Sequence, residues 1–477
     1  MNPDSPENTV YQQQTDQWIQ TEFGSLDLAD GRLNTRLASL FQSFCSSPGA
    51  SIPQATSHWA KTKAAYRFLN NVKVTHEKIL MPHQKATCSR ISREKIVLAV
   101  QDTTTLDYTH LHETEGLGNI ATEKHSQGML VHSTLAFTPE RVPLGLIHQQ
   151  SWIRSPEEYG KKHTRYNRAI SDKESYKWLV SLNATEKAQK ESPGTLLINV
   201  GDREADIYEL LLHASTCASK LIVRAAWDRR VDHPEEHLWA YMEAQPPAAT
   251  LQVNIPRKGK NPERNAKIEL RFAPVQIRSP RNNKSTVPVV SAYAVYVKEL
   301  SPPKNTEPLS WLLLTTMEVD SLETAIKVVE YYAARFSIEL FHKVLKSGCK
   351  IERRQLKTID ALVRCLAIYS IVAWRIMFLT MLGRIVPEIP CTVLLEDHEW
   401  KSLHCYIFKT KEPPATPPSL GEAVRLVARL GGFLARKNDG HPGVQLLWRG
   451  MKVLSVISIA WIAFGPESNL ARGASQI

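Results

Sequence analysis

Leu33, Leu37, Leu40 and Phe44 recur at helical spacing behind Asp30 in "LADGRLNTRLASLFQSF" (28–44), which predicts an amphipathic helix capped by that aspartate. The turn-rich "SSPGASIPQAT" follows, and "SHWAKTKAAYRFLNN" (57–71) reads as a second helix with Lys61, Lys63 and Arg67 set among Trp59 and Tyr66. The period then changes. "KIVLAVQDTTTLDY" (95–108) and "GTLLINVGDREADIYELL" (194–211) each run apolar for five or six residues and end at an aspartate, Asp102 and Asp202. Such runs suit strands buried on both faces, and ligands gather where those strands end. Between them, 131–154 reads as two strands around a Pro-containing turn and 171–189 as a helix, so an α/β core with a mixed sheet is expected.

From about 221 to 316 short β-prone runs alternate with turn signals, and after 321 the pattern returns to helix. The most apolar segment, 361–382, carries Arg364 and Arg375; a charge near its middle favours a buried core helix over a membrane span. The Pro-rich "KEPPATPPS" (411–419) reads as a linker before a last helical segment, in which Leu426, Leu430 and Phe433 are expected to share an apolar face open in a lone monomer.

Length and charge narrow the partners. A chain of 477 residues has room for two to four domains at ~100–200 residues each. Its 59 Lys+Arg against 48 Asp+Glu give +11, which favours a polyanion, with nucleic acid ahead of a membrane. Nine bases between 254 and 284 (Arg257, Lys258, Lys260, Arg264, Lys267, Arg271, Arg278, Arg281, Lys284) fit either a solvated loop or polyanion contact. The helix, turn and basic helix near the start have the form of a DNA-docking module, although a solvated basic helix fits equally. Seven cysteines without a C-x-x-C pair speak for a reducing cytosol and against a zinc ribbon, and residues 1–24 carry no signal-peptide pattern.

The chemistry converges on "YYAARFSIELFHKVLKSG" (331–348). On one continuous helix from about Glu323, Tyr332, Arg335, Glu339, Lys343 and Lys346 step by 3, 4, 4 and 3 and share a face, while Ile326, Val329, Ala333, Phe336, Leu340 and Val344 form an apolar stripe beside it. Ordinary i,i+4 ion pairing explains that face when it stands alone. With Asp102 and Asp202 added, three acids would repel one another unless cations enter, and Mg²⁺ takes hard oxygen ligands while leaving room for water and phosphate. Asp206 fits a helix cap and Asp107 a turn; His342 fits packing and Trp311 a core aromatic.

The spacing Tyr-x2-Arg-x3-Glu-x6-Lys, filled by Tyr332, Arg335, Glu339 and Lys346, together with "QDTTTLDY", "GDREADIY", "AAYRFLNN", "PLSWLLLTT" and "ARLGGF", resembles the DDE transposases of bacterial insertion sequences, of the kind found in transposon five. The resemblance implies a ribonuclease-H-like catalytic core (76–385) with a β-rich insertion (about 221–316), an α-helical N-terminal DNA end-binding domain (1–75) and an α-helical C-terminal dimerisation domain (386–477). It implies Asp102, Asp202 and Glu339 as ligands of Mg²⁺, two ions with Mn²⁺ able to substitute. Tyr332, Arg335, Lys343 and Lys346 would meet DNA phosphates, Trp311 would stack on a flipped base, and Arg203 would lie near the active site. The expected activity is cut-and-paste transposition through a hairpin intermediate. The expected partners are double-stranded transposon inverted-repeat ends and target DNA, with a homodimer in the synaptic complex and no membrane, in a bacterial cytoplasm. A related nuclease without strand transfer, and a domesticated DNA-binding protein, are the rival readings.

Overall fold

The computed structural model describes residues 20–120, 126–154, 168–255, 263–280, 289–304, 306–436 and 439–466. Helices α1 (Gly31–Ser46), α2 (Ile52–Thr56), α3 (Trp59–Leu69) and α4 (His76–Ile91) open the chain. Strands β1 (Ile96–Asp107), β2 (Gly118–Asn119), β3 (Gln127–Phe137) and β4 (Pro143–Trp152) follow, then α5 (Tyr176–Glu191), β5 (Leu196–Gly201), α6 (Tyr208–Ala214), β6 (Lys220–Arg224) and α7 (Leu238–Ala244). β7 (Ala249–Ile255), β8 (Arg264–Ile277), β9 (Val290–Glu299) and β10 (Ser310–Thr315) complete the strands, and α8 (Leu322–Ala333), α9 (Phe336–Lys343), α10 (Ile359–Ile385), α11 (Asp397–Phe408), α12 (Leu420–Leu430) and α13 (Val444–Phe464) close the chain.

The ten strands of the described residues join one sheet in the order β2-β3-β1-β5-β6-β10-β9-β8-β7, with β4 on β3. The β1–β5 and β5–β6 pairs are parallel, and the other pairings are antiparallel, as the apolar runs joined by a helix predict. Asp30 caps α1 by accepting from the Arg32 amide, as its position before the apolar period predicts. Of the basic stretch, Arg264 pairs with Glu299, Arg271 with Glu269 and Arg278 with Asp232, so these bases brace the β-rich half rather than standing in an open loop. Arg257, Lys258, Lys260, Arg281 and Lys284 lie outside the described residues.

Among the described residues, two helices are long and apolar enough to cross a membrane by length and composition, Ile359–Ile385 and Val444–Phe464. The first is a core helix, with 78% of its most apolar window buried. Its Arg375 sits beside Cys45, Glu396 and Glu399.

Three local expectations are corrected. Asp102 is not the last residue of its strand. Antiparallel pairing with β3 carries β1 on to Asp107, opposite Gly128, although pairing with β5 stops at Val100. Asp102 therefore lies where β1 outruns its parallel neighbour.

Second, no single helix spans 323–348. Arg335, Ser337 and Ile338 bond back three residues, to Tyr332, Ala334 and Arg335, and the Cys349 amide reaches back five, to Val344. Tightening and then widening the turn shifts the phase. The core face now includes Ala325, Val328, Tyr332, Ile338, Phe341 and Leu345; of the expected stripe, Val344 is buried, Ile326, Val329 and Leu340 pack partly buried against the core, and Phe336 is 42% exposed.

Third, Leu426 and Phe433 are buried within the monomer, and Leu430 packs against the same cluster, which includes Leu447 and Leu454 of α13. Glycine permits that cover. A Cβ at Gly431 would overlap the Leu446 carbonyl and one at Gly450 the Val427 carbonyl, so α12 and α13 cross at backbone contact. The open apolar face belongs to α13 instead, through Val453, Val456, Ile459, Ile462 and Phe464.

Candidate active site

Parallel pairing of Val100 with Val200 sets β1 and β5 level, so Asp102 and Asp202 emerge side by side at one sheet edge. Asp202 accepts from the Glu204 amide at 2.8 Å and caps the short turn Arg203–Ala205; Asp102 accepts from the Thr103 amide at 2.8 Å. Ile338 and Phe341 share a core cluster with Leu98, Val100 and Leu106, which seats α9 over β1. That seating brings Glu339 and His342 of α9, and Arg335 just before it, toward the strand acids.

Arg335 is the link. It lies 3.9 Å from the Asp102 carboxylate and 2.8 Å from that of Glu339. The i,i+4 contact expected from spacing is therefore present, but Arg335 is largely buried and also reaches a strand acid. His342 stands 3.9 Å from Asp102, with its Nε2 buried and lacking a hydrogen-bond partner. Burial, and then the nearby Lys346, push its pKa down to about 3, so the imidazole is neutral at physiological pH.

The acids themselves respond to crowding. Burial raises Asp102 to about 6, and the charges of Asp202 and Glu339 add to the rise against the opposing pull of the Thr103 amide and Arg335. Asp202 is raised as well, by burial first and then by Glu204, with Arg335 and Lys177 acting the other way. Glu339 keeps a half-exposed carboxylate turned to Arg335. Among the described residues no three His, Cys, Asp or Glu side chains already enclose a metal position. The donor set nevertheless fits a hard divalent cation, because it consists of carboxylate oxygens whose mutual repulsion a cation would relieve.

Beside the acids stands an aromatic and basic corner. Tyr332 is buried; burial raises its pKa, while Arg335 and Arg224 lower it. Trp311 of β10 packs edge-on against Tyr332, with centroids 5.1 Å apart, and is partly buried. Arg224, at the end of β6, donates to the Ser310 carbonyl at 2.8 Å and to Tyr332. The sequence reading missed it; its only signal was a base ending the strand beside the one that leads to Asp202. Lys177 of α5 was missed too, and lies 3.2 Å from Glu204.

The remaining candidates spread outward. Arg203 is exposed on the Asp202 turn, Lys343 is exposed on α9, and Lys346 pairs with Glu352 at 3.7 Å. Lys346 also lines an 880 Å³ cavity with His110, His112, Lys350 and Arg353. Thus the expected stripe runs from the interior at Tyr332 to solvent at Lys343 rather than along one exposed face. Lys61, Lys63 and Arg67 point outward from α3, whose Thr62, Ala65, Phe68 and Leu69 are buried; they belong to a separate basic surface. Asp206 is structural, as its buried contacts with Arg229 and two loop amides show.

Residues 15–74 match the family model described as transposase DNA-binding, and residues 371–463 match the one described as the transposase Tn5 dimerisation domain. A solved structure titled "Cryo-EM structure of piggyBac transposase synaptic complex with hairpin DNA" is 11% identical over 64% of this chain and 52% of that chain, with a TM-score of 0.31. The chain spans about half the length of that structure.

Proposed function

We propose that this chain, a Tn5-like transposase with the DNA-binding and dimerisation domains of that family at its two ends, cuts transposon ends and joins them to target DNA with Asp102, Asp202 and Glu339 as its catalytic carboxylates. The observation that supports the reading is that Arg335 reaches both Asp102, at 3.9 Å, and Glu339, at 2.8 Å, while burial first and then the charges of Asp202 and Glu339 raise Asp102 to about 6. The strand order β4-β3-β1-β5-β6 supports the ribonuclease-H-like core that the motifs imply.

The three carboxylates would hold Mg²⁺, which when bound supplies Lewis-acid stabilisation of a pentavalent phosphorus and of an attacking oxygen. This chain's own residues do the rest. Arg335, Tyr332 and Arg224 hold phosphates against the edge, and Lys346 extends that hold toward the cavity beyond Asp107. Trp311 offers its indole to a flipped base while Tyr332 fixes the ring. Water nicks the end, the freed 3′-hydroxyl attacks the opposite strand to form a hairpin, a second water opens it, and the 3′-hydroxyl joins target DNA. Each step is an in-line displacement at phosphorus. The exposed apolar face of α13 provides the surface through which two end-bound copies pair.

Glu339→Gln tests the site, because the half-exposed side chain allows a neutral isostere without a cavity. End binding by gel shift should persist while nicking, hairpin formation and strand transfer fall together. Substantial nicking by a folded Glu339→Gln chain would remove Glu339 from the chemistry. Joining of pre-cut ends by the wild type separates a transposase from a nuclease.

A further inference from the structure

Two tryptophans are largely exposed among the described residues, Trp59 at 77% and Trp227 at 66%, whereas Trp178, Trp374 and Trp400 are buried. Trp227 is unusual because its loop is braced although its indole is not. The loop leaves β6, the parallel neighbour of the strand that delivers Asp202. Asp206, 3% exposed, accepts from the Ala226 amide at 2.7 Å, the Trp227 amide at 3.0 Å and Arg229 Nε at 2.7 Å. The Ala225 amide donates to the Leu312 carbonyl at 2.8 Å, one residue from Trp311. The turn that starts at Asp202 ends at Asp206, so the catalytic acid and the indole's loop are tied to one short piece of backbone.

An exposed indole on a fixed loop loses little freedom when it stacks, which is what a rigid aromatic anchor requires. Its surroundings select the partner. Arg203 is exposed on the Asp202 turn after β5 and Arg224 ends the neighbouring β6, while Asp228 accepts from the Trp239 amide at 3.0 Å and Glu204 meets Lys177 at 3.2 Å. A flat, exposed apolar ring on a braced loop, next to the paired strand ends that carry Arg203 and Arg224, has the form of a single-strand stacking platform.

We propose that Trp227 is a second stacking surface for DNA, taking an unpaired nucleobase of the strand that lies across Asp202. This rests on the reading of that edge as a DNA-processing site. It assigns a partner to a residue outside the motif and gives Asp206 its purpose, which is to hold the loop so that the ring is presented ready-placed.

The test uses the full chain, with EDTA present, and a fluorescent oligo-dT strand followed by anisotropy across a salt series. Trp227→Ala should weaken oligo-dT binding roughly 5- to 150-fold, and Trp227→Phe should keep most of the affinity. The salt slope should not change, because a stacking contact releases no counterion. On a fully paired duplex of the same length the Ala variant should stay within about twofold of wild type, since stacked bases offer no free face. Equal oligo-dT affinity of wild type and Trp227→Ala, an equal loss on the duplex, or no oligo-dT binding by wild type would each overturn the proposal. The assay contains no metal and reads no cleavage. A chain that binds oligo-dT through Trp227 yet never nicks or joins DNA would instead sink the transposase reading alone.

Discussion

Glu22 is a buried carboxylate and Asp102 a partly buried one, and the protein treats them in opposite ways. Around Glu22 every charge is answered. Arg90 meets it at 3.0 and 3.2 Å, and His83 donates to it through Nδ1 while its Nε2 accepts from the Leu146 amide. Burial alone would raise the Glu22 pKa, but His83 and Arg90 outweigh it and the value is lowered. Around Asp102 burial also raises the pKa, yet the nearest additional charges include two more acids, and the value reaches about 6. A satisfied acid fastens the fold. An acid left among its own kind is an energetic cost that a proton or a cation relieves, and this difference sets the Asp102 edge apart from the Glu22 clasp.

Removing each charge in turn should separate the two roles. The largest effect is expected for Asp102→Asn in DNA nicking with Mg²⁺: a loss of roughly ten-thousandfold or more, the scale seen when one member of a catalytic unit is removed. End binding by the same preparation should be kept. Glu22→Gln should nick normally at a temperature where it remains folded. Nicking by Asp102→Asn within tenfold of wild type would erase the distinction.

Stability should show the reverse order. Glu22→Gln leaves Arg90 and His83 buried without their acid, and breaking one side of a buried pair costs about 3–5 kcal/mol, readable as a lower denaturation midpoint in urea. Little of this clasp is legible in the sequence, because its members are 61 and 68 residues apart. Local patterns are legible: the Asp30 cap, the apolar runs of β1 and β5, and the buried α10 all follow from spacing. What depends on tertiary neighbours is not. The turn at Ala334–Ile338 moves the core face off its periodic positions, α13 covers Leu426 and Phe433, and Arg224 acquires meaning only when β6 is laid beside β5. For the candidate site, the three acids and the Tyr332–Arg335–Glu339 series were readable from spacing and resemblance, whereas the 3.9 Å approach of Arg335 and His342 to Asp102 was not.

Acid should move the two sites in opposite directions. A carboxyl raised from its ordinary value of 3.8 to about 6 costs stability above pH 6, by up to about 3 kcal/mol, and that cost fades as the pH falls toward 4. Asp102→Asn should therefore melt higher than wild type at pH 7 in EDTA, with the gap closing by about pH 4. Glu22 is lowered, so its contribution is complete above about pH 4.3 and is lost only as the pH falls through its lower folded value. The gap between wild type and Glu22→Gln should hold constant from pH 7 to about 5, where the Asp102→Asn gap is already shrinking. Parallel gaps across that range would show that like-charge crowding does not distinguish the sites.

The smallest effect concerns charge that neither fastens the fold nor crowds an acid. Arg67 is exposed on α3, on the side away from buried Ala65 and Phe68, within the segment that matches a transposase DNA-binding domain. Its removal should leave the unfolding free energy measured in urea within about 0.5 kcal/mol of wild type, as at most surface positions. If Arg67 meets a phosphate, Arg67→Ala should lower the slope of log affinity against log salt by about 0.9, because one fewer counterion is released. Asp102→Asn removes a negative charge near phosphate instead, and should bind DNA at least as tightly. An unchanged slope for Arg67→Ala, with normal affinity for end DNA, would return that helix face to plain solvation and leave the acid edge as the chain's principal electrostatic device.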